Sequence, residues 1–449
     1  MMERYEKYKD SGVEWIGEIP EGWICSKLKF ATKKIIDGTH FTPTYVQKGV
    51  PFLRVTDIHE SLIDLDKVKR ISHAEHKQLS NRCNPSKGDV LLSKNGTIGI
   101  TKVIDWDWEF SIFVSLCLLK FKTLLSGRYF AFFFKSNIVD QQICESSQTT
   151  SVTNLHLDKI KELLITLPPR PDQTTIANYL DRKTAEIDEL IAQKERLLEL
   201  YEEEKTAIIN QAVTKGIDLD VKLKDSGIDW LGEIPERWEI KKIKYLLKKK
   251  RGALKTGPFG SQIKNSDLNP LGKFKVYTQR NVMDSNYITG EDRIDDEKFR
   301  SLKEFEIIPN DILFTTRGTI GKCSIFPENM ETGILHPCLI RIQIDESLVL
   351  PGWIINYVTN SSFFLENVKL ESNSTIIDVI YGGTLKEIVI PLPLPKHQSA
   401  IVHHIETETA RINAKIARTK KIIELQKEYR TALISEVVTG KIKVTQEMG

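Results

Sequence analysis

The chain has 449 residues, of which 40% are hydrophobic and 28% charged, and its formal net charge is +3. This length predicts two or more domains, and the composition is typical of a soluble globular protein rather than a disordered or fibrous one. No apolar run approaches the roughly 18 residues of a membrane span, and the N-terminus lacks a secretory signal, so we expect a cytoplasmic protein. The six cysteines form no C-x-x-C pair, which indicates neither a disulfide framework nor a zinc site.

The first element is a peptide that the chain contains twice. KDSGVEWIGEIPEGW covers residues 9–23, and KDSGIDWLGEIPERW covers residues 224–238. The two copies supply four of the seven tryptophans in the chain. We expect these tryptophans to anchor the peptide in a domain core or against helix ends, in preference to stacking on DNA bases. They are Trp15, Trp23, Trp230 and Trp238.

Lysines precede a polar, glycine-containing segment in each copy. In the first copy, Lys33 and Lys34 lead into IIDGTHFTP at 35–43. In the second copy, residues 240–264 contain nine lysines or arginines and no acidic residue, and the stretch ends in GPFGSQIK. Such cations can neutralise DNA phosphates, and polar loops with glycine can approach base edges closely. The alternative is that the lysines form a solvated helix face.

A GTIG tetrapeptide follows in both copies, within GDVLLSKNGTIG at 88–99 and NDILFTTRGTIG at 310–321. Its glycines predict a tight turn, and the nearby cation, Lys94 or Arg317, can contact a phosphate. The loops and cations together predict a set of DNA-binding residues. This set is Lys33, Lys34, Thr39, His40, Arg54, Lys94, Asn95, Lys248, Lys249, Lys250, Arg251, Lys255, Ser261, Gln279, Arg280 and Arg317.

The remainder of each copy, apart from its C-terminal part, has short apolar runs, such as 111–121 and 385–392, broken by Gly, Asn and Pro. This pattern predicts an α/β domain with irregular loops. Between residues 33 and 88, and between 247 and 310, the two copies show almost no matching residues. We interpret this as a duplicated framework whose loops have diverged.

Each copy ends in a long predicted helix. Residues 167–216 align without gaps on residues 392–441, and apolar residues recur at spacings of three and four, as in a coiled-coil seam. About 42 helical residues would span roughly 60 Å, and two such helices in one chain can bury each other's seam. Prolines mark where the helices begin. The predicted regions are an α/β domain at 1–166, a central helical region at 167–220, a second α/β domain at 221–390 and a distal helical region at 391–449.

Catalytic motifs are missing from the sequence. It has no Walker loop, no G-x-G-x-x-G after a strand and no G-x-S-x-G elbow. His73 and His76 have the wrong spacing for a helical metal site, and we interpret both as surface residues. NPSK at 84–87 and NPLG at 269–272 differ from the N-P-P-[YF] form of adenine methyltransferases. The chain is therefore predicted to be non-catalytic.

The chain resembles the specificity subunits of bacterial type I restriction-modification systems. The resemblance rests on a series of features that occurs twice in the same order: W-x-G-E-I-P-x-x-W, GTIG, LP…P…Q…I and a long helix. The resemblance covers essentially the whole chain. It implies an α/β (α+β) fold with two target-recognition domains, joined by two long helices that pack as an antiparallel coiled coil with pseudo-two-fold symmetry. The implied ligand is double-stranded DNA with a bipartite, asymmetric target.

The resemblance also implies partners for this chain. These are two methyltransferase subunits and, where present, restriction subunits that act as a nuclease and translocase. No cofactor is expected on this chain, whereas S-adenosylmethionine, ATP and Mg are expected on the partners. Two alternatives belong to other classes. A stand-alone sequence-specific DNA-binding regulator would form no complex with a methyltransferase subunit, and a coiled-coil scaffold joining two protein-binding domains would have no DNA affinity at low salt.

Overall fold

The computed structural model describes residues 3–58, 62–145, 154–372 and 379–445. The chain divides into two compact units. Unit 1 comprises residues 1–195 and 420–449, and unit 2 comprises residues 196–419. Both chain ends therefore belong to unit 1, where the Lys443 backbone N–H donates to the Glu3 carbonyl at 2.9 Å.

Unit 1 contains two four-stranded sheets, in the orders β4-β11-β8-β9 and β10-β6-β7-β5, and the two-stranded pairs β1-β2 and β3-β12. Its strands are β1 (Tyr8–Asp10), β2 (Glu18–Pro20), β3 (Ile24–Lys27), β4 (Thr32–Asp37), β5 (Tyr45–Val46), β6 (Val50–Leu53), β7 (Lys69–Ile71), β8 (Val90–Ser93), β9 (Thr101–Val103), β10 (Ser111–Ile112), β11 (Leu116–Phe121) and β12 (Leu164–Leu167). The helices that begin in it are α1 (Leu28–Ala31), α2 (His73–Arg82), α3 (Gly127–Phe134), α4 (Asn137–Glu145), α5 (Leu157–Glu162) and α6 (Arg170–Lys215).

Unit 2 contains a four-stranded sheet in the order β16-β22-β19-β20, a three-stranded sheet in the order β18-β17-β21, and the pairs β13-β14 and β15-β23. Its strands are β13 (Leu223–Asp225), β14 (Glu233–Pro235), β15 (Glu239–Lys242), β16 (Leu254–Thr256), β17 (Phe274–Tyr277), β18 (Arg293–Ile294), β19 (Ile312–Thr315), β20 (Cys323–Ile325), β21 (Gly333–Leu335), β22 (Leu339–Ile342) and β23 (Val389–Leu392). The helices that begin in it are α7 (Gln279–Met283), α8 (Asp296–Ser301), α9 (Pro351–Ile355), α10 (Phe363–Ser372), α11 (Gly382–Glu387) and α12 (Pro395–Val438).

The duplication extends into the segments where the two copies share almost no sequence. In unit 1, β6 pairs parallel with β10 and antiparallel with β7; in unit 2, β17 pairs parallel with β21 and antiparallel with β18. Gly49 precedes β6, and Gly272 precedes β17. A Cβ on Gly49 would lie 2.1 Å from the Ile71 carbonyl oxygen, and a Cβ on Gly272 would lie 2.7 Å from the Ile294 carbonyl oxygen. These short strands are therefore part of the duplicated frame. Divergence has changed their side chains and loops more than their backbone.

The two long helices run antiparallel within each unit, as the resemblance implies. In unit 1, Arg430 Nε lies 2.9 Å from Asp188 Oδ1; in unit 2, Arg411 Nη2 lies 3.1 Å from Glu204 Oε1. Exposed ion pairs contribute little stability, so the buried apolar seam supplies most of it. Among the described residues, no helix is long and apolar enough to span a membrane. The buried seam includes Ile187, Ile191, Ile412, Ile416 and Ile423.

The repeated tryptophan peptide packs against the end of a long helix in each unit. Trp23 and Trp238 are buried. A Cβ on Gly440, which follows α12, would lie 3.2 Å from Trp23, and a Cβ on Gly216, which follows α6, would lie 3.3 Å from Trp238. Both glycines have positive φ, as expected where a helix ends. The predicted anchoring role is confirmed for these two tryptophans; the other two are half-buried.

The glutamine of each LP…P…Q motif is buried, and its side-chain amide forms hydrogen bonds with three backbone groups. Gln173 accepts a hydrogen bond from the Ser126 N–H at 2.7 Å and donates to the Leu124 and Pro168 carbonyls at 2.7 and 2.9 Å. Gln398 makes the three corresponding bonds in unit 2, at 2.8 to 2.9 Å. Each glutamine thus joins the first turn of a long helix to the α/β part of its own unit.

Candidate nucleic-acid interface

The predicted loops of each unit meet at one edge of its β-sheets. β4 ends where β11 begins, with Asp37 opposite Cys117, and β8 ends there as well, with Ser93 opposite Leu116. In unit 2, β16 and β19 end where β22 begins. We call these regions the loop edges. The loop edge of unit 1 consists of residues 37–41, 54–57, 93–99 and 113–116, and that of unit 2 consists of residues 256–260, 278–281, 315–321 and 336–339.

A glycine holds the first loop of each edge against the neighbouring backbone. A Cβ on Gly38 would lie 2.0 Å from the Ile112 carbonyl oxygen, and a Cβ on Gly257 would lie 2.2 Å from that of His336. Only glycine fits such an approach. The glycines of both GTIG segments have positive φ, which confirms the predicted tight turn. The loops are therefore fixed at their base, while an exposed phenylalanine follows each of the two packed glycines.

Unit 1 places a charged cluster at its loop edge. The buried Asp37 carboxylate accepts a hydrogen bond from Arg82 Nη2 at 2.7 Å, and it lies 3.1 Å from His40 Nε2 and 3.5 Å from Lys94 Nζ. Burial alone would raise the pKa of Asp37, but the His40 hydrogen bond and the nearby cations outweigh burial and lower that pKa below its usual value. Arg82 Nη1 also donates to the Gly38 carbonyl at 2.9 Å. The cluster thereby fixes the loop that follows β4.

Unit 2 builds the corresponding edge from hydroxyl and amide groups. Thr316 occupies the position of Lys94, and its hydroxyl donates to the Cys338 carbonyl at 2.9 Å. Gln279 Nε2 donates to the Arg317 carbonyl at 2.7 Å, which joins α7 to the GTIG loop. The Arg280 side chain is 87% exposed. Because Thr316 is buried, it shapes the loop, whereas the exposed Arg280 can meet a ligand. The two edges thus differ both in the groups that hold their loops and in the side chains that they expose.

The turn that follows β6 in unit 1 and β17 in unit 2 is duplicated in form but not in sequence. In unit 1, the Arg54 N–H donates to Asp57 Oδ2 at 2.7 Å; in unit 2, the Thr278 N–H donates to Asn281 Oδ1 at 2.9 Å. The Arg54 side chain also pairs with Asp57. Sequence reasoning did not single out either acceptor, because their function depends on the strand that precedes them.

The structure separates the sequence-predicted residues into two groups. Those at or beside the loop edges are Thr39, His40, Arg54, Lys94, Asn95, Ser261, Gln279, Arg280 and Arg317. The others lie in β4 or β16 away from the loop edge, or they precede β16: Lys33, Lys34, Lys248, Lys249, Lys250, Arg251 and Lys255.

The basic segment before the GPFGSQIK loop is not a helix face, so that alternative interpretation is wrong. Residues 240–264 contain β15, a 3₁₀ turn, a loop and β16. The exposed cations at 248–251 precede β16 and lie at the end of that strand opposite the loop edge. Lys255 lies within β16 and pairs with Glu304 at 2.5 Å.

Two corrections concern residues outside the predicted set. His76 is not a surface residue: its side chain is 12% exposed, its Nδ1 lies 2.9 Å from Ser111 Oγ, and burial lowers its pKa. Asp37 and Arg82, which organise the loop edge of unit 1, were missed. They are 45 residues apart, and no local pattern connects them. Within the described ranges, no group of three or more His, Cys, Asp or Glu side chains could hold a metal ion.

Comparison with protein families and curated sequences gives a consistent result. A family model described as the type I restriction modification DNA specificity domain matches residues 28–200. The chain is 23% identical over 442 residues to the putative type I restriction enzyme MjaX specificity subunit of Methanocaldococcus jannaschii, covering 96% of each chain. It is 22% identical to the EcoKI specificity subunit of Escherichia coli, covering 94% of this chain and 91% of the relative.

Two solved structures share the fold. A chain from a study of complex assembly and conformational transition in a type I restriction-modification system matches with a TM-score of 0.69 at 14% identity, covering 94% of this chain and 98% of that one. The HsdS subunit from Thermoanaerobacter tengcongensis matches with a TM-score of 0.54 at the same identity and coverage. The predicted fold class is confirmed.

Proposed function

We propose that this chain, which resembles type I restriction enzyme specificity subunits over most of its length, reads a bipartite, asymmetric DNA sequence, with one half-site at each loop edge. Specificity subunits recognise DNA and are themselves non-catalytic. The relatives give no support to the alternative of a stand-alone regulator. We assign the two recognition domains to residues 1–166 and 221–390, and the helical regions to residues 167–220 and 391–449.

One observation supports this proposal most strongly: the two loop edges have the same backbone arrangement but different side chains. The Lys94 N–H donates to the Ser115 carbonyl at 2.9 Å, and the Thr316 N–H makes the equivalent bond to Cys338 at 3.1 Å. The side chains at these equivalent positions are both buried: the Lys94 ammonium pairs with Asp37, and the Thr316 hydroxyl donates to the Cys338 carbonyl. The exposed side chains also differ, with His40 63% exposed at the first edge and Arg280 87% exposed at the second. Because each base pair presents its own pattern of donors and acceptors, two different edges suit two different half-sites.

We also assign the partners to the duplicated frame. Two copies of one frame offer two equivalent attachment surfaces, which suits two methyltransferase subunits per chain. Restriction subunits would join this complex where the system has them. S-adenosylmethionine would be bound by the methyltransferase subunits, and ATP and Mg by the restriction subunits.

Mapping of methylated adenines tests the proposed function. The methyltransferase subunit of the same system is expressed with or without this chain in a host that lacks other adenine methylation. We expect one bipartite motif to be methylated only when both proteins are present. Methylation that is independent of this chain, or no methylation together with no complex between the two proteins, would contradict the proposal and favour a stand-alone regulator.

A further inference from the structure

Each unit carries an exposed aromatic ring at the same position of its frame, outside the loop edges. Phe30 lies in α1 and is 59% exposed. Tyr245 lies in the equivalent 3₁₀ turn and is 64% exposed. Each turn follows the strand, β3 or β15, that pairs with the last strand of its own unit. The ring is thus duplicated along with the frame.

Buried neighbours and a backbone bond hold each turn in place. Leu28 and Ile243, two residues before the rings, are fully buried. The Leu28 N–H donates to the Leu163 carbonyl at 2.7 Å, and the Ile243 N–H donates to the Ile388 carbonyl at 2.9 Å. The outward position of each ring therefore follows from a fixed turn whose opposite side is in the core.

A glutamate bound by two lysines accompanies each ring. Glu162 pairs with Lys27 and Lys29, both at 2.6 Å, and Lys29 Nζ lies 5.4 Å from the centre of the Phe30 ring. In unit 2, Glu387 pairs with two lysines at 2.7 and 2.8 Å. Hydrogen bonds from these lysines lower the pKa of each glutamate to about 2. We call these groups the ring patches. They consist of Lys27, Lys29, Phe30 and Glu162 in unit 1, and Lys242, Lys244, Tyr245 and Glu387 in unit 2.

The duplication restricts what the ring patches can bind. The two loop edges differ, but the ring patches are alike, which favours the same partner at both units. DNA backbone and a second protein present in two copies both meet this condition. A carboxylate set between the lysines weakens attraction to phosphate, whereas exposed aromatic rings beside charged groups are typical of protein interfaces. The chemistry therefore favours a protein.

We propose that each ring patch is a docking surface for one methyltransferase subunit, so that one copy binds at each unit. This inference rests on the proposed function. The ring would enter an apolar pocket of the partner, and a carboxylate at the rim of that pocket would meet the net positive charge of the two lysines and one glutamate.

The stoichiometry of the complex tests this inference. Without DNA, the wild-type chain should bind two methyltransferase subunits, as measured by native mass spectrometry. Phe30→Ala and Tyr245→Ala should each leave one tightly bound copy, with the other weakened at least about tenfold. The double variant should lose both. A chain with the rings exchanged, Phe30→Tyr with Tyr245→Phe, should bind two copies.

The matched controls are Leu62→Ala and Leu271→Ala. Both leucines are even more exposed apolar residues, and each lies in a segment where the copies differ in sequence. They should bind two copies, and thermal melting should show that all variants are folded. A double ring variant that binds two copies as tightly as wild type would overturn the docking surface and leave the proposed function intact. A wild-type chain that binds no methyltransferase subunit would overturn both.

Discussion

Single buried side chains determine how the functional loops are held. Gln173, in the first turn of α6, satisfies three backbone groups, and the Asp37 carboxylate lies beside His40, Arg82 and Lys94 at the unit 1 loop edge. Both side chains are polar, and both are almost fully enclosed by protein. In such an environment, the loss of a partner costs more than the bond itself contributes.

We expect Gln173→Ala to lower the free energy of unfolding of the chain by about 2–5 kcal/mol, because three backbone groups lose their partner. The cost is about 1–3 kcal/mol for a fully buried group, here the Pro168 carbonyl, and less for the part-buried Ser126 N–H and Leu124 carbonyl. Urea unfolding followed by circular dichroism measures this. Gln193→Ala is the matched control, since Gln193 is exposed on the same helix and its amide donates to the exposed Glu189 at 3.2 Å. The control should change the value by less than about 0.5 kcal/mol. Equal effects of the two substitutions would contradict a stabilising role for the Gln173 hydrogen bonds.

Local sequence patterns predicted some of these side chains and not others. The glycines of GTIG form a turn through their own conformational freedom, so the tetrapeptide was sufficient to predict it. The pairing of Asp37 with Arg82 requires α2 to pack beside the end of β4. That contact is tertiary, and a single sequence contains no period or motif that reports it.

At the scale of elements, the long helices were predictable and the short strands were not. The predicted helix at 167–216 is observed as Arg170–Lys215, because a heptad pattern repeats many times over that length. β6, β7, β17 and β18 have two to four residues each. Strands that short are defined by their pairing partners, so the duplicated pairing of β6 and β17 with their neighbours became apparent only in the structure.

The basic segment before β16 gives a prediction at this scale. We expect Lys248→Ala with Lys249→Ala to weaken binding to all DNA and to reduce the log–log salt dependence by up to about 0.9 for each phosphate that is no longer neutralised. Preference for the target sequence should remain, because these lysines lie away from the loop edge. The matched control is Lys222→Ala with Lys224→Ala, two exposed lysines of the same unit. An unchanged salt slope in the first variant would show that 248–251 does not bind phosphate.

At the scale of the whole molecule, the duplication explains how one chain can carry two recognition surfaces. Each unit has its own core, its own pair of antiparallel helix segments and its own loop edge. The sequence predicted this organisation from its repeats. It could not give the composition of the units, because unit 1 combines both ends of the chain through contacts such as that between the Tyr8 hydroxyl and the Gly440 carbonyl at 2.9 Å.

The central claim is that each unit reads its own half-site, and a segment exchange tests it most directly. Residues 31–145 are replaced by the corresponding segment of a related specificity subunit, and methylated adenines are mapped with the cognate methyltransferase subunit. We expect one half-site of the motif to change to that of the donor, while the half-site read by unit 2 stays the same. A motif in which both half-sites change together, or neither changes while methylation persists, would contradict independent reading by the two units.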